Sequence, residues 1–217
     1  MKPEIYLTTD GSKTLYSKEF DEHYHSKNGA FTESQHIFIN LGFKTIEKPE
    51  VNILEIGYGT GLNAIMTYKS NELNPKKVFY HGIEKFPISS ETFKNMGYIE
   101  YFDLTSREIK IFSEDWDKPL KISQNFKLLK QNTDFIKFTP QRSYDLIYFD
   151  AFSPDTQPEM WTYENLKKIL TKLSTDGVFV TYCSRGDLKR NLRTLGMNLK
   201  RFSGPPGKRH VIRASKH

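Results

Sequence analysis

The sequence predicts one α/β domain with a mostly parallel, seven-stranded sheet that carries helices on both faces. Two observations support this class. Short apolar runs alternate with stretches of helical periodicity along most of the chain, which is typical of strands linked by crossover helices. The 217 residues, 37% of them hydrophobic, are also enough to bury one substantial core. In such sheets ligands bind beyond the carboxyl ends of the strands, so the residues that follow each strand are the candidates for a site.

The N-terminal region predicts a hairpin followed by a helix. Residues 5–9 and 14–16 are β-like, and the dipeptide Asp10-Gly11 between them is typical of a tight turn. Residues 30–40 place apolar side chains on one helical face, and Gly42 can end that helix.

The regular alternation of strands and helices begins at residue 51. We therefore expect a main domain in residues 51–217, with residues 1–50 as a small hairpin and helix extension packed on it. Strands are predicted at residues 51–56, 77–83, 126–130, 144–149, 177–183, 197–202 and 209–213, the last two as an antiparallel pair. Helices are predicted at residues 62–70, 89–96, 159–173 and 187–195. Residues 100–124 fit neither pattern and are predicted to form an irregular surface insertion.

A glycine motif of the form acid-x-G-x-G-x-G occupies residues 55–61, directly after the first strand of the main domain. A P-loop is excluded because Gly61 is not followed by Lys and Ser or Thr. The dinucleotide fingerprint G-x-G-x-x-G is excluded because its third glycine position, counted from Gly57, holds Leu62. The pattern is typical of loops that bind S-adenosylmethionine, a cationic cofactor without phosphate whose amino group suits the acid Glu55.

Further acids follow the other central strands. Glu84 ends the second strand of the main domain, where an acid typically binds ribose hydroxyls. Asp134 follows the third strand, where it can hold an adenine amino group. Asp150 ends a central strand, next to the position expected for the methyl donor. Together with the glycine motif, these acids predict a methyltransferase-type cofactor site.

Positive charge is concentrated near the C-terminus. The formal net charge is +6, and ten basic residues between Arg185 and the end of the chain are accompanied by one acid, Asp187. Such a basic region suits a polyanion such as RNA, although a solvated helix face has the same composition.

Several other classes of protein are excluded. The N-terminus lacks the apolar stretch of a signal peptide, and no run approaches the ~20 apolar residues of a membrane helix. The single cysteine, Cys183, excludes an internal disulfide, and the six dispersed histidines predict no metal site. We therefore expect a cytoplasmic protein without a metal and without a membrane partner.

Six segments resemble the methyltransferase domain of the bacterial enzyme family that makes 5-methylaminomethyl-2-thiouridine at the wobble position of tRNA. In many members this domain is fused to a flavin-dependent oxidase that produces its substrate. The present chain resembles a stand-alone form, with a separate flavin-dependent oxidase as the candidate supplier of substrate. The segments are residues 22–39, 53–61, 81–87, 148–161, 181–186 and 204–214.

The resemblance implies a Rossmann-like fold and methyl transfer from S-adenosylmethionine to the primary amine of 5-aminomethyl-2-thiouridine in the tRNA anticodon loop. Asp150 is then expected to face this amine, and to bind and orient it, because an ordinary Asp is too acidic to be a strong base. The candidate cofactor-binding residues are Glu55, Gly57, Tyr58, Gly59, Thr60, Gly61, Asn63, Glu84, Lys85, Asp134 and Asp150.

Candidate substrate-binding residues come from three separate segments of the chain. Tyr24, His25 and Ser26 lie in the resembling N-terminal segment and are expected to close over the site. Phe152 and Trp161 are expected to stack on an extruded wobble base. Lys208 and Arg209 are expected to hold anticodon phosphates.

Three alternatives stay open at this point. One is a methyltransferase for a small molecule or a protein. Another is an aminopropyl transferase of the spermidine-synthase type, which also handles amines but whose polyamine site should be acidic. The third is an RNA-binding module that retains an inactive cofactor loop.

Overall fold

The computed structural model describes residues 3–216 and contains a small and a large β-sheet with helices around the large one. The strands are β1 (Glu4–Leu7), β2 (Lys13–Ser17), β3 (Glu22–His23), β4 (Glu50–Ile56), β5 (Lys77–Glu84), β6 (Pro119–Ser123), β7 (Phe126–Asn132), β8 (Tyr144–Phe149), β9 (Leu173–Thr181), β10 (Asn198–Ser203) and β11 (His210–Ser215). The α-helices are α1 (Ala30–Ser34), α2 (Leu62–Leu73), α3 (Ser90–Lys94), α4 (Tyr98–Phe102), α5 (Ser106–Ser113), α6 (Tyr163–Leu170) and α7 (Gly186–Thr194).

The large sheet has the strand order β10-β11-β9-β8-β4-β5-β7-β6. Its five central strands, from β9 to β7, are parallel, whereas β6, β10 and β11 pair antiparallel at the two edges. The chain builds outward from β4 through β5 to β7 and then returns to β8 on the other side of β4. The strand order therefore reverses between β4 and β8, and the crevice above such a reversal is where α/β sheets bind ligands.

Helices cover both faces of the large sheet, as the sequence predicts. On one face, Ile53, Tyr80 and Tyr148 pack in one buried cluster with Ile65 of α2 and Phe38 of the helix that follows α1. On the other face, Leu54, Ile147 and Phe179 pack with Leu166 of α6 and Leu192 of α7. Each fully buried side chain of this size contributes about 1.5–3 kcal/mol, so these two layers hold the ends of β4 and β8 in place.

The N-terminal hairpin and helix are both confirmed. Strands β1 and β2 pair antiparallel, and residues 30–40 are helical, although α1 continues from Gln35 to Asn40 as a π-helix. The carboxylate of Asp10 in the hairpin turn accepts hydrogen bonds from the backbone N–H of Thr32 at 2.9 Å and from its hydroxyl at 2.8 Å. The turn of the hairpin thereby caps the first turn of α1.

The prediction of an irregular insertion at residues 100–124 is wrong. Helix α5 begins there with a reciprocal capping box between Thr105 and Glu108, and β6 pairs with the edge of the sheet at β7. Because β6 adds an edge strand, the sheet has eight strands rather than the predicted seven.

The helix predicted at residues 159–173 is shorter in the structure. Pro158–Trp161 form a 3₁₀-helix, Thr162 caps α6 with its hydroxyl, and the helix ends at Leu170. Leu173 already belongs to β9, which the sequence predicts only at residues 177–183. Within residues 3–216, every helix is too short or too polar to span a lipid bilayer.

Candidate active site

A cavity of about 340 Å³ lies at the carboxyl ends of β4, β5 and β8. This volume is within the range of small-molecule sites. The cavity wall combines the glycine motif, the loops that follow β5, β7 and β8, and residues 21–27 of the N-terminal region. It therefore sits at the reversal of strand order, where the sequence predicts a ligand.

The glycine motif brings the backbone close to its neighbours in left-handed conformations. Gly57 has φ 85°, and a Cβ atom there would lie 2.5 Å from the carbonyl oxygen of Asp150. Gly59 has φ 52°, and its Cβ would lie 3.2 Å from the ring of Tyr24. Side chains at these two positions would meet backbone and an aromatic ring, so the close approach requires glycine.

Glu84 ends β5 with its carboxylate at the cavity wall. One carboxylate oxygen accepts the backbone N–H of Gly59 at 2.8 Å, and the other accepts that of Phe86 at 2.8 Å. Burial raises the pKa of this carboxyl, while the backbone hydrogen bonds oppose that effect. The result is a fixed acceptor that still has lone pairs for hydroxyl groups of a ligand.

Asp150 follows β8 and opens into the cavity while remaining half-buried. Its Oδ2 accepts a hydrogen bond from the side-chain amide of Asn63 at 2.9 Å. The pKa of the Asp150 carboxyl is raised to about 7, first because the protein removes it from water and second because the Glu33 carboxylate repels its charge. The amide of Asn63 and the ammonium of Lys208 act in the opposite direction.

Glu55, predicted as a cofactor-binding residue, lies beneath the cavity rather than in its wall. Its carboxylate is fully buried and accepts hydrogen bonds from Asn63 Nδ2 at 2.9 Å and from the Tyr80 hydroxyl at 2.8 Å. Burial raises the pKa of this carboxyl well above its ordinary value. Glu55 therefore orients Asn63, whose amide bridges it to Asp150.

Other members of the glycine motif support the loop from behind. The Tyr58 hydroxyl donates to the carbonyl of Phe112 at 3.1 Å. Thr60 Oγ1 accepts from the Tyr98 hydroxyl at 2.9 Å and bonds His25 Nε2 at 2.8 Å. Burial, with a smaller effect of a nearby lysine, lowers the pKa of His25 to about 4, so this imidazole is neutral at pH 7.

Lys85 and Asp134 form an ion pair of 2.9 Å at the cavity rim. Asp134 also accepts the backbone N–H of Ile136 at 2.9 Å, and Lys85 is the first cause of the lowered pKa of its carboxyl. Beside the pair, the buried ring of Phe135 gives the wall an apolar surface.

Aromatic side chains also line the cavity mouth. Tyr24 packs edge-on against Phe152 with ring centroids 5.1 Å apart. Phe20 lies 4.9 Å from Phe152 and 5.8 Å from Phe86. We call three aromatic residues that line the cavity, Tyr24, Phe86 and Phe152, the aromatic rim; Phe20 packs against two of them and does not line the cavity itself. Sequence reasoning missed Phe20 and Phe86, although Phe86 lies two positions after the predicted ligand Glu84.

Trp161 belongs to the core and not to this rim. Its ring is 6% exposed and packs 4.7 Å from the ring of Phe149. Its indole N–H donates to the carbonyl of Phe152 at 2.8 Å. The predicted stacking of Trp161 on a base is therefore wrong for this structure, because both its ring and its donor are already used inside the protein.

Lys208 and Arg209 differ in their surroundings. The ammonium of Lys208 binds the carboxylate of Glu33 and lies 4.6 Å from the ring centroid of Tyr182, so it points into the cavity wall. Arg209 is exposed. Glu33 escaped sequence reasoning because it is one of several polar residues on a predicted helix and its partner is distant in the chain.

The cavity thus brings together many of the predicted residues and excludes others. The predicted residues that line it are Tyr24, His25, Ser26, Gly57, Gly59, Glu84, Lys85, Asp134, Asp150, Phe152 and Lys208. Glu55, Tyr58, Thr60, Gly61 and Asn63 lie behind the wall and hold it.

Comparison with known proteins adds independent information. A family model described as S-adenosyl-L-methionine-dependent methyltransferase matches residues 108–217, about half of the chain. Two proteins named tRNA 5-methylaminomethyl-2-thiouridine biosynthesis bifunctional protein MnmC, from Delftia acidovorans and Methylobacillus flagellatus, are 23% and 26% identical over 99% and 91% of this chain. The chain spans 35% and 33% of those proteins, about a third of their length.

Solved structures show the same fold. The crystal structure of MnmC2 from Aquifex aeolicus is 29% identical, with a TM-score of 0.77 over 98% of this chain and 70% of that chain. Spermidine synthase from Thermotoga maritima is 15% identical with a TM-score of 0.57, covering 99% of this chain and 69% of that chain, and shares the fold alone.

Proposed function

Because the chain belongs to the S-adenosyl-L-methionine-dependent methyltransferase family, we propose that it methylates the primary amine of 5-aminomethyl-2-thiouridine at the tRNA wobble position. The observation that carries this proposal is Asp150, a carboxyl with a pKa of about 7 at the reversal of strand order, facing a cavity with an aromatic rim. The names of the similar proteins, which refer to 5-methylaminomethyl-2-thiouridine biosynthesis, support the choice of substrate.

The residues of the cavity fit the cofactor. Gly57 and Gly59 present bare backbone in the cavity wall, which lets a ligand approach the chain closely. The fixed carboxylate of Glu84 suits ribose hydroxyls. Lys85 and Asp134, beside the apolar ring of Phe135, suit the adenine end. When bound, S-adenosylmethionine would supply a sulfonium methyl group that a neutral amine can attack, with the neutral thioether as the leaving group.

Asp150 is proposed to bind the substrate ammonium and to accept its proton. Transfer from an ammonium of pKa ~10.4 to an ordinary Asp costs about 9 kcal/mol, whereas transfer to a carboxyl of pKa about 7 costs about 5 kcal/mol. The raised pKa therefore removes nearly half of this cost, and it also places the acid near the operating pH, where proton transfer is most effective. The proton moves from the ammonium nitrogen to the carboxylate, which leaves a neutral amine with a free lone pair.

The aromatic rim is proposed to receive the wobble base. Extruded bases are commonly held between aromatic side chains, and Phe152 and Tyr24 are partly exposed at the mouth of the cavity. Ser26 lies in the same wall and offers its hydroxyl to the base or ribose. Arg209 and the other exposed basic residues near the C-terminus are proposed to contact anticodon phosphates.

Two wider features follow from the same proposal. Residues 1–50 act as an extension of a methyltransferase domain at residues 51–217, since Tyr24 and Ser26 belong to the cavity wall. A flavin-dependent oxidase supplies the aminomethyl substrate, since the similar proteins are named bifunctional and the chain covers about a third of them. A tRNA substrate of this kind places the reaction in the cytoplasm.

The test is methyl transfer from labelled S-adenosylmethionine to tRNA that carries 5-aminomethyl-2-thiouridine, compared with an unmodified transcript. We expect label only in the modified tRNA, and loss of label in Asp150→Ala while calorimetry shows intact cofactor binding. Asp155→Ala, an exposed acid on the same segment, is the matched control and should retain activity. Absence of label in both tRNAs despite cofactor binding would contradict the proposed substrate.

A further inference from the structure

We propose that Glu33 and Lys208 act as a positioning pair that controls the charge state of Asp150 and so sets the pH range in which the amine is methylated. This inference rests on the proposed function, because it assigns a role to residues around the same acid. Neither Glu33 nor Lys208 is proposed to contact the reacting atoms. Their role is electrostatic, and it is carried by where the fold holds them.

The pair is built into the cavity wall. Glu33 on α1 is 5% exposed, and its Oε1 accepts the backbone N–H of Ser26 at 3.2 Å while its Oε2 binds the ammonium of Lys208. Lys208 in the loop between β10 and β11 also lies against the face of Tyr182, with 4.6 Å between the ammonium and the ring centroid. Both side chains line the same cavity as Asp150.

The fold fixes both partners from opposite ends of the chain. Glu33 and Lys208 are 175 positions apart in sequence. The loop that carries Lys208 is tight: a Cβ atom at Gly204 would lie 2.1 Å from the carbonyl oxygen of Lys208. At Gly207, with φ 84°, a Cβ atom would lie 1.9 Å from the side chain of Asn28 in the N-terminal region. The backbone of this loop therefore packs closely against the N-terminal region, and the ion pair between Lys208 and Glu33 adds a second contact between the same two parts of the chain.

The groups that interact electrostatically or by hydrogen bonds with the Asp150 carboxyl come from five elements of the fold. They are Glu33 from α1, Glu55 from β4, Asn63 from α2, Tyr182 after β9 and Lys208 from the loop before β11. Glu33 raises the pKa of Asp150 by repulsion, whereas Lys208 lowers it by attraction. Two oppositely charged neighbours in one ion pair thus act on the same carboxyl in opposite directions.

The pair also suits the charge of the reactants. Both the substrate ammonium and the cofactor sulfonium are cations, and an unpaired lysine in the wall would repel them. Pairing Lys208 with Glu33 neutralises that lysine while keeping its stem and ammonium in the wall. Glu33 therefore serves twice: it holds Asp150 in its proton-accepting range and it shields the cationic reactants from Lys208.

The experiment is a titration of Asp150 in the cofactor-free protein, followed by NMR of isotope-labelled aspartate carboxyls and assigned with Asp150→Asn. In Glu33→Gln the Asp150 titration should move to lower pH, and in Lys208→Met it should move to higher pH, each on the order of one unit. The double variant should still titrate at lower pH than wild type, because Glu33 acts on Asp150 more strongly than Lys208 does. Lys208→Arg, which keeps the charge, should barely shift the titration.

A rate profile provides the second readout. The acidic limb of the pH–rate profile for methyl transfer to tRNA should follow the NMR titration. It should move to lower pH in Glu33→Gln and to higher pH in Lys208→Met. A purely structural role would lower activity in both variants without displacing the limbs in opposite directions. Titrations that shift in one direction, or that stay unchanged in folded variants, would overturn the inference. The NMR titration needs no substrate. It therefore tests the role of Glu33 and Lys208 even if the wild-type protein fails to methylate the tRNA.

Discussion

At the residue scale, the site contains three side chains linked by hydrogen bonds from the core to the cavity. Glu55 is fully buried, the amide of Asn63 donates hydrogen bonds to both Glu55 and Asp150, and Asp150 lines the cavity. Only the last of these lines the cavity, yet its properties depend on the other two. Burial keeps the pKa of Asp150 high, while the amide of Asn63 stabilises its ionised form.

The pH dependence of activity follows from Asp150. Because the ionised carboxylate accepts the proton and its pKa is about 7, the rate at saturating cofactor should rise as the pH increases through 7 and level off above it. Asp150→Asn should lower the rate by about 10²–10⁴-fold and abolish this limb. A single-turnover pH profile measures both effects, and a limb that survives in Asp150→Asn would assign it to another group.

Asn63→Ala tests the bridge. Loss of the amide removes the hydrogen bond that stabilises ionised Asp150, so its pKa should rise above 7. Activity should then fall most at pH 6 and recover in part at pH 9, with a loss of stability of about 1–3 kcal/mol from the buried carboxyl left behind. The variant is compared with Asn74→Ala, a change at the C-terminal end of the same helix. A uniform loss of activity at every pH would argue against the bridge.

At the scale of elements, the turn of the N-terminal hairpin holds α1, and α1 carries Glu33 into the cavity wall. Asp10 joins these parts, since its Oδ1 accepts the backbone N–H of Ser12 at 3.0 Å and its Oδ2 accepts that of Thr32 at 2.9 Å. These hydrogen bonds hold the pKa of Asp10 well below its ordinary value despite partial burial.

Asp10→Asn should therefore lower the free energy of unfolding by about 1–3 kcal/mol at pH 7, since hydrogen bonds to a charged acceptor are lost. With a lowered pKa in the folded state, the contribution of Asp10 is present above its unfolded pKa of ~3.9 and is lost as the pH falls below it. Urea unfolding should show a large difference in the free energy of unfolding between wild type and variant at pH 7 and a smaller difference at pH 3.

Asp103→Asn, an exposed acid in a left-handed conformation that Asn tolerates, is the control and should show little change in stability at either pH. Equal gaps for Asp10→Asn at both pH values would contradict the assignment.

The sequence predicts the central elements well because each carries a local signal. Strand β8 is buried along its whole length and reads as an apolar run, and the acid that follows it is visible in the sequence. Strand β6 escapes prediction because it is a short edge strand that begins with proline and alternates with polar residues. The helix at α6 is predicted too long because Pro158-Glu159 resembles a helix start, whereas Thr162 provides the cap.

The same distinction applies to the site. Glu84 and Asp150 are predictable from their positions at strand ends, and the structure places both in the cavity wall. Glu33 is not predictable, since its significance arises from an ion pair across 175 positions of the chain. The prediction for Trp161 is wrong because an aromatic residue after a strand-end acid has the same sequence signal whether it faces the ligand or the core.

At the scale of the whole molecule, positive charge gathers at one edge of the sheet. Lys189 and Arg193 of α7 and Lys200 and Arg201 of β10 border a shallow groove on the β10 side of the sheet. Both β10 residues are exposed. A basic edge of this kind suits the phosphate backbone of an RNA whose loop reaches the cavity.

Reversing charge at Lys200 and Arg201 to Glu should raise KM for tRNA and leave kcat at saturation little changed, because these residues lie outside the cavity. The slope of tRNA affinity against salt concentration should fall by about one for each phosphate that the variant no longer binds. Lys121 and Lys127, an exposed cross-strand pair on the opposite edge, provide the matched double reversal. Equal weakening by both double variants would show that net charge, and not this edge, governs binding.

Nucleoside analysis shows directly whether the methyl group is transferred to the amine of a wobble uridine. After a single turnover with tRNA that carries 5-aminomethyl-2-thiouridine, the digested nucleosides are separated and identified by mass spectrometry. We expect 5-aminomethyl-2-thiouridine to be converted to 5-methylaminomethyl-2-thiouridine by wild-type protein and not by Asp150→Asn. A methyl group on any other nucleoside, or unchanged 5-aminomethyl-2-thiouridine in the presence of bound cofactor, would contradict it.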